Sequence, residues 1–324
     1  MKKIITLALS LFILSSCWAQ TGTRLVQAKE GRRLDSLLTP YVIELRKHTN
    51  NTAGMAIGVT KGEDVIYAKT FGYADVEKSL EADIMTVFHI ASVSKPFTAA
   101  AIVKLVEEGK LKLDDPILDY IPDFEMKGEE FRNITIRHIL THTSGIPRHI
   151  SIGDWENPIY GIHALEKNLE DAKTFDLYFT PGTEYNYSNS AFDILGVLIS
   201  RVSGMSFEEY VKQFILIPSG MPNSSYSKPK DKVPAHWAIP HSYGLETQEW
   251  FPYPYSENYF PSSGLQTSLL DMCNWGILHV NKGSLKGREV IKEEYFSLLT
   301  QPYFNTPWGD EIGLSWFLQS YLDR

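Results

Sequence analysis

The chain has 324 residues, 31 basic against 39 acidic side chains, a formal net charge of -8 and 43% hydrophobic content. That length and apolar share suffice for a sizeable core divided between two lobes, and the acidic balance argues against nucleic acid as a partner. With two cysteines and no internal repeat, heptad run or low-complexity stretch, disulfide scaffolds, solenoids and coiled coils are excluded.

At the start of the chain, Lys2 and Lys3 precede an apolar run from Ile4 to Leu14. The run is well short of the roughly 20 residues that span a bilayer, so residues 1–19 read as a secretory leader removed on export. Two cleavage readings stay open. Leu14-Ser-Ser-Cys17 resembles a bacterial lipoprotein box that would lipidate Cys17 and anchor the protein to a membrane. Cys17-Trp-Ala19 before Gln20 instead reads as a signal-peptidase site releasing a soluble periplasmic protein. Either way, the expected location is the envelope.

Residues 54–60 and 65–73 read as two strands around the polar turn Lys61-Gly-Glu-Asp64, hence an antiparallel hairpin. Soon after comes Ser92-Val-Ser-Lys95, followed by the helix formers from Thr98 to Glu108, with Gly109 as a stop. Pro96 fixes the helix start, because proline is tolerated only in a first turn. Positions i and i+3 of a helix share a face, so Lys95 reaches back toward the Ser92 hydroxyl at the electropositive helix N-terminus. A serine hydroxyl is a poor nucleophile near neutral pH and needs such a base. A free lysine has a pKa of about 10.4, so holding it neutral near pH 7.4 costs about 4 kcal/mol unless the site is dry or positively charged. Read alone, the four letters equally describe a serine-rich cap and a solvated lysine.

Helical patterns dominate from Pro96 to about Val202, with loops at 113–124 and 144–157, which points to a mainly helical lobe inserted in a sheet domain. Within it, His138 and His142 are four apart on an expected helix, which is zinc-ligand spacing, but no third ligand accompanies them and no metal is expected. Pro181-Gly-Thr-Glu-Tyr-Asn-Tyr187-Ser188-Asn189 is a turn that brings a phenol and an amide to the start of a second apolar helix over Phe192 to Val202. The aromatic-rich stretch from Trp237 to Phe260 reads as a packed loop with one or two rings open to substrate. Asp271 reads as a cap or solvated residue, like Glu107 and Glu108. Cys273 reads as a buried structural thiol in an apolar helix.

In chain order, Phe88-His-Ile-Ala-Ser-Val-Ser-Lys95-Pro-Phe-Thr-Ala, Thr135-Ile-Arg-His-Ile-Leu-Thr-His-Thr-Ser-Gly-Ile-Pro147, Tyr187-Ser-Asn189 and Ser263-Gly-Leu-Gln-Thr-Ser-Leu-Leu-Asp271 form a set. This set resembles the serine β-lactamase and penicillin-binding protein superfamily, in its class C β-lactamase and D,D-peptidase branch, over roughly residues 54–317. The resemblance implies an α+β, β-lactamase/transpeptidase-like fold over residues 20–324, an antiparallel sheet flanked by helices with the inserted helical lobe and the site between them. It also implies an exported serine hydrolase with an acyl-enzyme at Ser92 and Lys95 and Tyr187 sharing base and relay duty in an unassigned order. Asn189 would orient Lys95, and the Ser92 N–H would donate to an oxyanion. The implied substrate is a D-amino-acid peptide, a β-lactam or a small ester; no cofactor is implied, and oligomeric state is not addressed. The family's third motif, a Lys- or His-containing triad on a strand after a Gly-Leu-x-Trp segment, is not found after Gly313-Leu-Ser-Trp316, and neither are the later sheet strands. The expectation is therefore a chain incomplete at its C-terminus, with an inactive cell-wall-peptide or protein-binding relic as the alternative.

Overall fold

The computed structural model describes residues 24–26, 28–49, 52–150, 157–161, 163–226, 236–242, 248–249 and 255–320. The leader, Cys17 and residues 243–247 and 250–254 of the aromatic stretch from Trp237 to Phe260 lie outside the described residues.

Strand β1 (Arg24–Val26) and helix α1 (Ala28–His48) precede the expected hairpin, β2 (Gly54–Lys61) and β3 (Asp64–Asp75). The turn between them uses Gly62 at φ 59°. β3 is the middle strand, paired antiparallel with β2 on one side and β1 on the other, and β4 (Leu80–Glu81) adds to its far end. Tyr67 and Ala68 of β3 are fully buried.

From the hairpin the chain runs through β5 (Val87–His89) and a single 3-10 turn, Ala91–Ser94, into α2 (Lys95–Glu107). The helical part follows with α3 (Ile136–Leu140), α4 (Lys167–Ala172), α5 (Asn189–Ser203) and α6 (Phe207–Val211). A short pair, β6 (His241–Ser242) and β7 (Gln248–Glu249), leads to α7 (Phe260–Ser263), β8 (Gln266–Ser268) and α8 (Leu269–Val280). β8 returns to pair with β5, and α8 lies across β2. That contact is close: a Cβ on Gly58 would come within 2.4 Å of Cys273 Sγ.

Two cores result. The larger gathers the helices: α5 contributes Ile194, Leu195, Leu198 and Ile199, α2 contributes Ile102, Val103 and Leu105, and Phe97 stacks on Trp275 of α8 at 4.2 Å. Each such side chain, fully buried, stabilises the fold by about 1.5–3 kcal/mol. A smaller core of Ala68, Ile84, Leu269, Leu270 and Cys273 joins the sheet to α8.

The architecture is the mixed α+β one expected, with four local differences. Ser92 occupies the 3-10 turn ahead of α2, with Pro96 in the helix's first turn. α5 begins at Asn189, ahead of Phe192, because Ser188 caps it by accepting from the Ala191 N–H at 3.0 Å. α3 stops at Leu140, so His138 and His142 share no helix face, and His142 turns away at φ 59°. Asp271 is neither solvated nor a simple cap. It lies in the first turn of α8, 2% exposed, and its carboxylate accepts from the Asn223 N–H at 2.8 Å and the Ser224 hydroxyl at 2.8 Å.

Candidate active site

The site grows from the turn before α2. Ala91 sits at φ 46°, a left-handed conformation costing an L-residue about 1–2 kcal/mol. It is followed by Ser92, which is exposed, while Ser94 turns inward: its hydroxyl donates to Ala91 O at 2.6 Å and accepts from the Leu265 N–H at 2.9 Å. The Ile90 N–H also reaches Leu265 O at 3.0 Å, so the turn is fastened to the segment joining α7 and β8.

Lys95 is 1% exposed. Its Nζ lies 3.3 Å from Ser92 Oγ, donates to Asn189 Oδ1 at 2.7 Å and donates to Ser262 O at 2.8 Å. It also stands 4.7 Å from the centre of the Tyr187 ring. The four residues expected to share a site therefore converge. Ser92 and Lys95 come from one helix start, and Tyr187 and Asn189 come from another.

Arg148 places its guanidinium 5.2 Å from the Tyr187 ring centre, and its carbonyl accepts from the Asn189 N–H at 3.0 Å. His142, 1% exposed, packs on the Tyr187 ring at 4.3 Å. His142 Nδ1 accepts from the Ser188 N–H at 3.2 Å, so this ring is a support for the Tyr187 loop and not half of a metal pair. Asp193, 1% exposed and one turn beyond Asn189, accepts from the Ser262 N–H at 3.0 Å. Thr98 donates to Pro261 O at 2.7 Å, clamping the same segment from α2.

Electrostatics follow from this burial. Burial drives the Lys95 amine well below the ordinary lysine range; the Asp193 charge opposes that shift and Arg148 adds to it. Burial raises the Asp193 carboxyl, which hydrogen bonding by Ser262 and the Lys95 charge pull back. Burial raises the Tyr187 phenol, against a hydrogen bond with Ser92 and the Arg148 charge. Burial and then the Lys95 charge hold His142 well below its usual value, hence neutral.

Arg148 and Asp193 were not read from sequence as site residues. Asp193 had a signal in hand: an acid inside the apolar run Ala191-Phe-Asp-Ile-Leu195, spaced i+4 from Asn189 and hence on the same helix face.

The family model described as Beta-lactamase matches residues 34–323. Protein flp of Staphylococcus aureus strain N315 is 30% identical over 273 residues, covering 82% of this chain and 51% of that protein. The chain thus spans about half the length of the curated relatives it matches. Among solved structures, the octameric penicillin-binding protein homologue from Pyrococcus abyssi aligns with a TM-score of 0.73 and 30% identity, over 89% of this chain and 66% of that one. A penicillin binding protein from Bacillus halodurans aligns with a TM-score of 0.71 and 27% identity, over 87% of this chain and 84% of that one.

Proposed function

Because the chain belongs to the beta-lactamase family, we propose that it is a serine hydrolase forming an acyl-enzyme at Ser92 with Lys95 as the base. One observation carries the assignment. A neutral amine has two N–H bonds and one lone pair. Asn189 Oδ1 and Ser262 O are acceptors only, at 2.7 and 2.8 Å from Lys95 Nζ, and they take both N–H bonds. In the neutral amine the lone pair is then free to take a proton from Ser92 Oγ, 3.3 Å away and the neighbour with a proton to give.

The reaction then runs in two balanced stages. Lys95 takes the Ser92 proton as the Oγ–C bond to the substrate carbonyl forms, and the carbonyl oxygen becomes an oxyanion that the Ser92 N–H helps to hold. The C–N or C–O bond to the leaving group breaks as that group takes a proton through Tyr187. Water then adds to the ester as it gives a proton to the again neutral Lys95, the C–Oγ bond breaks, an acid is released and that proton returns from Lys95 to Ser92. The substrates that suit this chemistry and the family are a D-amino-acid peptide, a β-lactam or a small ester. We further read the protein as exported, on the strength of Lys2, Lys3 and the apolar run after them.

The test is covalent labelling. A reporter penicillin and a fluorophosphonate should each leave one adduct, mapped to Ser92 by peptide mass and lost in Ser92→Ala. Probe binding with no adduct in the unsubstituted protein would overturn the hydrolase reading and describe a binding protein.

A further inference from the structure

Lys95 is faced by Ser92 from the turn before α2, by His142, Arg148 and His149 from the chain after α3, by Tyr187 from the loop before α5, and by Asn189 and Asp193 from α5. The reaction proposed above gives no carboxylate a role, yet one is sealed into this enclosure. Asp193 Oδ1 takes the Ser262 N–H at 3.0 Å, and the carbonyl of the same residue takes a Lys95 N–H at 2.8 Å. Its other oxygen, Oδ2, is buried and makes no hydrogen bond among the described residues. A carboxylate left with an empty acceptor position in a dry interior is expensive to hold and needs a compensating positive charge close by.

The seat of Ser262 is otherwise tight. A Cβ on Gly196, one turn past Asp193, would stand 2.3 Å from Pro261 Cγ, so the α5 backbone lies directly against the Pro261 ring of α7. With Thr98 holding Pro261 O from α2, the Ser262 main chain has one place to be, and Asp193 is the side chain of α5 that takes its N–H.

We propose that Asp193 is a positioning residue for acylation: it anchors the Ser262 main chain whose carbonyl orients Lys95, and it sets a buried carboxylate in the enclosure of that amine. This role rests on the hydrolase reading, since it matters only if Lys95 serves Ser92. Its sign is fixed. Removing the anion makes a proton on Lys95 less favourable, so the neutral base appears at lower pH. The Asp193 contribution to the Lys95 shift has this direction.

The experiment measures Lys95 directly, so that it does not depend on turnover. In a Ser92→Ala background, the rate of Lys95 acetylation by acetic anhydride is followed against pH by peptide mass, with and without Asp193→Asn. Asparagine keeps an acceptor for the Ser262 N–H and loses the charge. The expected result is a midpoint about one pH unit lower in the variant. In the Ser92 protein, Asp193→Ala, which removes the acceptor as well, should slow labelling by a reporter penicillin about ten- to a hundred-fold beyond Asp193→Asn. An unmoved Lys95 midpoint would overturn the proposal, even with slower labelling, because a purely structural residue lowers rate without moving that titration. Failure of Ser92 to label in any form would instead sink the hydrolase reading and leave the Lys95 midpoint to decide on Asp193. Should the variants not fold, carboxyl carbon NMR of Asp193 in the unsubstituted protein serves. Its shift should also move where Lys95 reactivity moves, and independent midpoints would count against the pairing.

Discussion

The hydrogen bond from Lys95 Nζ to Asn189 Oδ1, 2.7 Å long, joins residues 94 apart in sequence and fastens the start of α2 to the start of α5. Each helix start delivers half of the site. Neither half can supply both the serine and the groups that hold its lysine.

Lys95→Met should test the base while keeping the volume of the side chain. Labelling of Ser92 should fall by about a hundred- to ten-thousand-fold. Asn189 Oδ1 and Ser262 O would each lose a donor, so the thermal midpoint should also drop, by an amount matching about 1–3 kcal/mol per group left unpaired. Near-normal labelling in a folded variant would remove Lys95 from the mechanism.

Asn189→Asp replaces a neutral acceptor by an anion at the same 2.7 Å contact. An anion beside Lys95 holds the proton on it, so the rising limb of the pH–acylation profile should move to higher pH by about one to three units, with labelling at neutral pH falling accordingly. A profile that stays in place would mean that Lys95 does not titrate in the step observed.

Arg148→Gln should move the same limb in the same alkaline direction. The guanidinium lowers both Lys95 and Tyr187, so its loss raises both. Asp193→Asn should move the limb the other way, and the opposite signs separate charge effects from general damage. Comparing carboxylate-bearing with neutral acyl donors would show whether exposed Arg148 also receives substrate.

Acid stability should be governed by buried histidines. Burial lowers His279 from 6.5 to about 4, and its ring packs among Trp275, Phe296 and Trp316. A histidine depressed in the folded state is protonated first in the unfolded chain. The His279 contribution to stability is therefore constant above pH 6.5 and declines as pH falls toward about 4. The thermal midpoint should follow this course, and His279→Phe should flatten it. An equal acid slope in the variant would assign the loss to other groups, His142 foremost.

Sequence made the proposed nucleophile and its neighbour legible because Ser92 and Lys95 are three residues apart, a spacing that local geometry fixes. Tyr187 and Asn189 were legible for a similar reason, as a turn at a helix start. Asp193 was missed because it lies in an apolar helix, where an acid reads as an outward-facing break; its inward placement depends on where α7 docks. The Ser262 carbonyl leaves no mark in any sequence, since every residue carries one. The i, i+4 spacing of His138 and His142, from which no metal was expected, assumed a helix that ends at Leu140. α1 and β1 were not read at all, and the place of β1 beside β3 is set by pairing across the fold.

The clearance between Gly196 and Pro261 admits a hydrogen atom and nothing larger. A methyl group there would push on α7, and α7 carries the carbonyl that aims the amine at Ser92. Under the proposed mechanism, a side chain at this glycine, which touches no reacting atom, would thus change how readily a serine loses its proton. On that reading, the strength of a base is partly a matter of how near two helices can stand.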